Sequence, residues 1–255
     1  MSMQKPNIYI FPQLSDNYGY LIKLPHAKEA AIVDPSDLEM CEKILDLNDC
    51  SLSHILLTHH HDDHTAAVED LKKKYNAKVI GHELDSQLPN IDIKVKSDQE
   101  IDIFDNTYKI ISTPGHTVQH ICYFNQDYSI LFAGDTLFSL GCGRMFEGTP
   151  ELFLQSLTKL KKLPKETLIY CGHEYTHSNL LFALSIDPEN EDLISYGKWI
   201  EKQGSDARPT LPTELQKELS LNPFLRCDEK VFQKLYNSED PFEVFRKMRL
   251  AKDTF

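Results

Sequence analysis

Leu57-Thr58-His59-His60-His61-Asp62-Asp63-His64 sets four histidines and two aspartates in six consecutive positions, directly after the apolar run Ile55-Leu56-Leu57. Imidazole nitrogen and carboxylate oxygen are the donors that zinc and similar divalent ions take. A strand that delivers such a loop turns alternate side chains to one side. His59 and His61 can then converge on one ion, while Asp63 and His64 swing round the turn toward a second. The plain alternative is a solvated loop or a purification-tag remnant, but a tag sits at a terminus and lacks aspartates. The stretch is read as a metal site, with His60 turned away by strand alternation and Asp62 in solvent.

Three more candidate donors lie downstream, each just past a run that reads as a strand. His116 follows 108–112 in Thr113-Pro114-Gly115-His116-Thr117. Asp135 follows 129–133 in Gly134-Asp135-Thr136, and His173 follows 167–171 in Gly172-His173-Glu174-Tyr175. A single histidine after Pro-Gly is more often a turn residue, so none of these is strong alone. Added to His59, His61, Asp63 and His64 they make seven donors. Seven exceed one tetrahedral zinc and suit two ions sharing a carboxylate. His26, His54, His82, His120 and His177 have no partner at ligand spacing and are read as structural.

Around these sites the chain alternates short strands and helices. Strands are expected at 7–11, 18–24, 30–33, 53–57 and 78–81, rich in β-branched and aromatic residues and bounded by turn formers. Helical spacing marks 37–47 and 65–75. Residues 85–99 read as loop. Paired strands follow at 101–104 and 108–112, and again at 120–124 and 129–133. The turn Val33-Asp34-Pro35-Ser36 closes a strand and is read as an ordinary strand end as readily as anything more. Residues 141–148 are glycine-rich, which lets backbone approach a ligand closely. No Lys-Ser/Thr helix follows them, so a phosphate loop is not indicated. A helix at 150–162 opens on a proline, and 167–171 is the last expected strand. After Tyr175 the pattern turns helical, at 179–186, 189–203, 213–218, 229–235 and 241–250.

The formal charge of −12 disfavours a polyphosphate partner, because nucleic-acid binders carry a basic footprint. Six cysteines show no paired spacing and are expected as buried thiols of a reducing compartment. The start at 1–6 has no apolar signal region, and no run approaches membrane-spanning length. A soluble, cytoplasmic, monomeric protein without membrane or nucleic-acid partners is expected. Arg246, Lys247, Arg249 and Lys252 gather near the C-terminus of an otherwise acidic chain. They are either a solvated helix end or an anion-binding group.

The His-x-His-x-Asp-His motif with His116, Asp135 and His173 resembles the metallo-β-lactamase superfamily. Together with Asp16-Asn17-Tyr18, the loop Gly141-Cys142-Gly143-Arg144-Met145-Phe146-Glu147-Gly148 and the tail from Arg249 to Phe255, it resembles the glyoxalase II (hydroxyacylglutathione hydrolase) family over almost the whole chain. The resemblance implies an α+β fold: a four-layer αβ/βα metallo-β-lactamase sandwich as catalytic domain at 1–174, and a small C-terminal all-helical domain for substrate at 175–255. It implies two divalent ions per chain, zinc first and iron or manganese as alternatives. His59, His61 and His116 would hold one, Asp63, His64 and His173 the other, with Asp135 bridging. Asp63 and Asp135 would also orient a hydroxide lying between the ions for attack on the thioester of S-(2-hydroxyacyl)glutathione, such as S-D-lactoylglutathione. Hydrolysis would release glutathione and the 2-hydroxy acid, the second step of methylglyoxal detoxification. Arg144, Phe146, Tyr175, Arg249 and Lys252 would hold the glutathione arm. A thiolate leaves readily, so no strong general acid is required.

This sequence departs from the family pattern at Asp62, at Ala66-Ala67 in place of Gly-Gly, and at Phe146, where some members carry tyrosine. The main rival is a persulfide dioxygenase of the same fold with one iron in a two-histidine, one-carboxylate face. The seven-donor set and the basic C-terminal helix speak against it. The −12 charge speaks against an RNA-processing nuclease. Cysteine-free donor motifs speak against a closed structural zinc site.

Overall fold

The computed structural model describes residues 4–255; the first three residues of the polar start lie outside that range. The chain divides into two compact units, Met1–Ser112 with Gln119–Gly134, and Thr113–Val118 with Asp135–Phe255.

The first unit opens on an antiparallel ribbon of β1 Asn7–Gln13 and β2 Asn17–Lys23, extended by β3 Glu29–Val33. The sheet then turns parallel through β4 Ser51–Leu56, β5 Lys78–His82 and β6 Ile93–Val95. Parallel neighbours need crossovers. Here α1 Leu38–Leu47 precedes β4, while the single turn α2 Asp62–Thr65 and α3 Val68–Tyr75 precede β5. Asp37 caps α1 by accepting the amide of Met40 at 3.1 Å, which satisfies one of the orphan donors of a helix start. Cys41 and Leu45 of α1 and Val68 and Leu71 of α3 pack with Leu21, Ile32, Ile55 and Val79 into one core. An antiparallel meander follows: β7 Glu100–Ile103, β8 Asn106–Ser112, β9 Ile121–Asn125 and β10 Ile130–Gly134. The Tyr123 hydroxyl of β9 donates to Leu57 O at 2.9 Å, tying the meander to the end of β4.

What positions the metal-binding stretch is register. In the parallel pair β3–β4, Val33 lies opposite Leu56, so Asp34 and Thr58 leave the sheet side by side at its carboxyl end. That is where open α/β sheets collect ligand loops. Asp34 sits at φ 50°, a left-handed conformation that aspartate tolerates better than most residues. Buried Gln13 holds it there. Its Nε2 donates to Asp34 O at 3.0 Å, and its Oε1 accepts the amides of Ser36 and Asp37 at 2.8 and 3.1 Å.

The second unit begins with a small ribbon, β11 Leu137–Phe138 and β12 Gly141–Cys142. The helix α4 Pro150–Leu160 follows, capped by Thr149 with proline at its first position, where a missing amide costs nothing. After β13 Leu168–Cys171 come α5 Thr176–Ile186, α6 Glu191–Ser205, β14 Thr213–Glu214 and α7 Leu215–Leu221. A 3-10 turn at Pro223–Leu225, α8 Lys230–Leu235 and α9 Pro241–Asp253 complete it. Leu140, Leu180, Ala183, Leu193, Tyr196, Ile200 and Leu221 form one hydrophobic cluster within it.

A buried polar knot ties α7 to the β11–β12 ribbon. Glu218 accepts Leu140 N at 2.7 Å, Thr213 Oγ1 at 2.7 Å and Asn222 Nδ2 at 3.0 Å. Burial pushes its carboxyl up, and the three donors act against that rise. Asn222 Nδ2 also reaches Gly141 O at 2.9 Å and Phe138 O at 3.2 Å. Asn222→Ala leaves both carbonyls buried without this donor and is expected to lower unfolding stability by about 2–3 kcal/mol. Urea denaturation at fixed metal content checks this, and an unmoved midpoint would contradict it.

Three local expectations need correction. The stretch 85–99 is not all loop, since β6 lies within it; only Val95 of its three residues is buried, too little to leave a pattern. The helix expected over 65–75 is broken, because Ala67 N donates to Pro35 O at 3.2 Å and α3 starts afresh at Val68. The region after Tyr175 is helical except for β14, whose two residues pair antiparallel with β13.

Candidate metal centre

Each unit carries part of the donor set. In the first, β4 ends at Leu56 and an extended loop runs to His61, the cap residue of α2 at φ −60° and ψ 143°. Asp63 and His64 therefore stand on a helical turn, not on a continuing strand. His59 is fully buried and His64 almost so. Their hydrogen-bond partners fix which nitrogen carries the proton. Thr58 Oγ1 gives its hydrogen to Asp34 Oδ2 at 2.7 Å, so at 3.0 Å it accepts from His59 Nδ1. His59 Nε2 is left as a lone-pair donor, 3.1 Å from His61 Nδ1. His64 Nδ1 lies 3.2 Å from Asp34 Oδ2, and its Nε2 lies 3.7 Å from Asp63 Oδ2. Asn17 Nδ2 holds Asp63 through both its backbone oxygen and Oδ2, at 2.9 and 3.0 Å. Donor atoms of Asp34, His59 and His64 lie within 4.8 Å of one another.

The second unit carries His116, Asp135 and His173. His116 Nε2 is 3.4 Å and His173 Nε2 3.2 Å from the same oxygen, Asp135 Oδ2. His116 Nδ1 is 2.8 Å from Arg144 O, which can only accept. With Nδ1–H donating, a neutral His116 ring turns a lone pair toward a carboxylate oxygen. Two electron-rich atoms facing each other at that distance ask for a cation between them. Carboxylates or carbonyls behind the histidines are the usual outer support of a metal ligand. Both donor groups thus fit a hard or borderline divalent ion.

The residues expected to hold the organic substrate all lie in the second unit. The Phe146 ring meets His116 edge-on at 5.3 Å, and Tyr175 stacks parallel on His173 at 4.6 Å. Arg144, exposed, reaches Asp253 Oδ1 at 3.5 Å. Arg249 is buried, at 4% exposure, and its Nη2 donates to the same Asp253 Oδ1 at 2.9 Å. Lys252 Nζ donates to Ser178 O at 3.3 Å and lies over the Phe182 and Phe255 rings. Burial first, then the neighbouring Arg249 and Arg144, depress the Lys252 ammonium.

Asp34, in a turn read as an ordinary strand end as readily as anything more, and Asp253, in the quoted tail, were given no role from sequence. The signal for Asp34 was an aspartate ending a strand that pairs in parallel with the strand before His59. His120, read as structural, stacks on His59 at 5.0 Å and backs its ring. His60 is turned away, bonding Asp85 at 3.0 Å.

Comparison with known proteins places the chain among relatives. The family model of the metallo-beta-lactamase superfamily matches residues 16–173, and that of the hydroxyacylglutathione hydrolase C-terminus matches residues 174–255. A Maricaulis maris protein named hydroxyacylglutathione hydrolase is 43% identical over 96% of this chain and 97% of its own length. A Rhodospirillum rubrum protein of the same name is 42% identical over 99% of this chain and 100% of its own. Among solved structures, ETHE1 from Myxococcus xanthus has a TM-score of 0.70, with 24% identity over 95% of this chain and 89% of that one. The fold is therefore the α+β metallo-β-lactamase fold with a helical C-terminal region. Among the described residues no helix is long and apolar enough to cross a membrane.

Proposed function

The chain belongs to the hydroxyacylglutathione hydrolase family within the metallo-β-lactamase superfamily, and on that premise we propose that it hydrolyses the thioester of an S-(2-hydroxyacyl)glutathione to glutathione and the 2-hydroxy acid. The observation that carries this reading is the pair of imidazole nitrogens set against one carboxylate oxygen of Asp135, in a chain with relatives of that name along its length. His59, His61 and His116 are proposed to hold one divalent ion and Asp63, His64 and His173 a second, with Asp135 shared; nitrogen and oxygen donors suit zinc and accept iron or manganese. When bound, the ions supply an acidic water and an electrophile for the developing oxyanion.

The chain's own residues do the rest. Asp63, anchored by Asn17, and Asp135 would accept hydrogen bonds from the attacking oxygen and so orient it. Tyr175, stacked on His173, would contact the glutathione, and Phe146, edge-on to His116, would line the pocket. Arg144, Arg249 and Lys252 provide the positive charge that two glutathione carboxylates require. Binding energy from that remote arm positions the thioester carbon. Residues 1–174 are proposed as the catalytic part and 175–255 as the substrate-binding part of a cytoplasmic monomer.

The test is hydrolysis of S-D-lactoylglutathione by purified protein, with and without chelator and with and without oxygen, alongside elemental metal analysis. Two ions per chain and oxygen-independent turnover abolished by chelation are expected. A single iron with oxygen-dependent turnover of a persulfide would overturn the proposal. Lys252→Ala is expected to raise KM about tenfold, ~1.4 kcal/mol of binding, with kcat nearly unchanged in steady-state kinetics.

A further inference from the structure

We propose that Arg249 is a positioning residue for His116, acting through the backbone of residues 142–144, beyond any charge it offers a substrate. The inference rests on the reading of His116 as a metal ligand. Arg249 lies on the buried face of α9 with Val244, Phe245 and Met248. Its Nη1 donates to Cys142 O at 2.9 Å and Gly143 O at 3.4 Å, and its Nη2 to Asp253. Its guanidinium lies 5.1 Å above the Phe224 ring. A planar guanidinium presents donors in fixed directions. Two consecutive carbonyls are thereby held at one place relative to α9.

The next carbonyl along, Arg144 O, is the one that accepts from His116 Nδ1. Phe146 N returns a bond to His116 O at 3.2 Å. There is no slack between these points. A Cβ on Gly143 would collide with the Asp135 carbonyl and come within 3.1 Å of His116 Nδ1, so the segment is wedged between the two. Any shift of the 142–144 backbone turns the His116 ring and moves the nitrogen that faces Asp135. Nη1 and Nη2 of Arg249 both bond inside the protein, so its contribution to a ligand is its charge as well as this internal role. Arg144 and Lys252, on the more open side, are better placed as the clamp.

The test compares wild type, Arg249→Met, Arg249→Lys, Lys252→Ala and His116→Ala as zinc- and cobalt-loaded proteins. Metal per chain after dialysis against graded chelator, the cobalt absorption spectrum and the split between kcat and KM are read for each. Arg249→Met is expected to yield one ion at about tenfold lower chelator strength than wild type, with an altered cobalt spectrum and a lower kcat. Lys252→Ala is expected to keep both ions. Arg249→Lys, whose ammonium can still reach one carbonyl, is expected to fall between. It decides the matter if circular dichroism shows the Met variant unfolded. Wild-type metal retention and a pure KM effect in a folded Arg249 variant, while His116→Ala loses metal, would overturn the proposal and leave the metal reading intact. Retention of both ions by His116→Ala would overturn the metal reading itself.

Discussion

Asp135→Ala is expected to bind fewer than two ions per chain and to lose turnover by about 10³-fold or more, ~4 kcal/mol of transition-state stabilisation. The size follows from what surrounds this carboxylate. One oxygen faces both His116 Nε2 and His173 Nε2, so its removal takes the anionic member from both contacts at once. Loss of a peripheral donor would weaken one ion; loss of a shared one disturbs both. Elemental analysis after dialysis, with kcat and KM on the glutathione thioester, separates the two cases. Asp135→Asn retains an oxygen donor without its charge and is expected to fall between wild type and alanine. Full metal content with undiminished turnover in the alanine variant would remove Asp135 from the proposed site.

What could be located from sequence was local. His59, His61, Asp63 and His64 sit in one short motif, and His116, Asp135 and His173 each follow a strand end, where side chains leave a sheet together. The β9 and β10 runs are buried throughout and read as strands for that reason. What sequence could not supply was the pairing of distant segments. The turn expected at Asp63 and His64 is a helical one, α2, which begins after His61, and a strand-to-turn pattern alone does not say which kind of turn it is. The burial of Arg249 was nearer to hand: it is four residues after Phe245 and one after Met248, on the apolar stripe of α9. Its charge drew attention to the substrate while its spacing pointed inward.

Asp34 was the least legible of the residues near the metal-binding stretch, and its replacement tests how much the outer support matters. Its two oxygens accept Thr58 N at 2.8 Å, Thr58 Oγ1 at 2.7 Å and His64 Nδ1 at 3.2 Å. Through Thr58 it also fixes the proton on His59 Nδ1. One aspartate thus sets the tautomer of two proposed ligands, His59 and His64. Asp34→Ala frees the Thr58 hydroxyl and leaves the His64 ring without its anchor, and metal affinity is expected to fall about 10–100-fold. Stability without metal should fall as well, by roughly 1–3 kcal/mol, because a buried amide loses its acceptor, and alanine adopts the left-handed backbone at this position poorly. Asp34→Asn separates these effects. Asparagine tolerates the φ of 50° and keeps one acceptor for Thr58 N, but it sets an amide NH2 where Oδ2 faces both Thr58 Oγ1 and His64 Nδ1. It is expected to fold with near-native stability while binding metal more weakly, read by competition with a chromophoric chelator. Native affinity in both variants would mean that His59 and His64 keep their orientation without Asp34, and that packing alone, including the ring of His120 on His59, is sufficient to aim them.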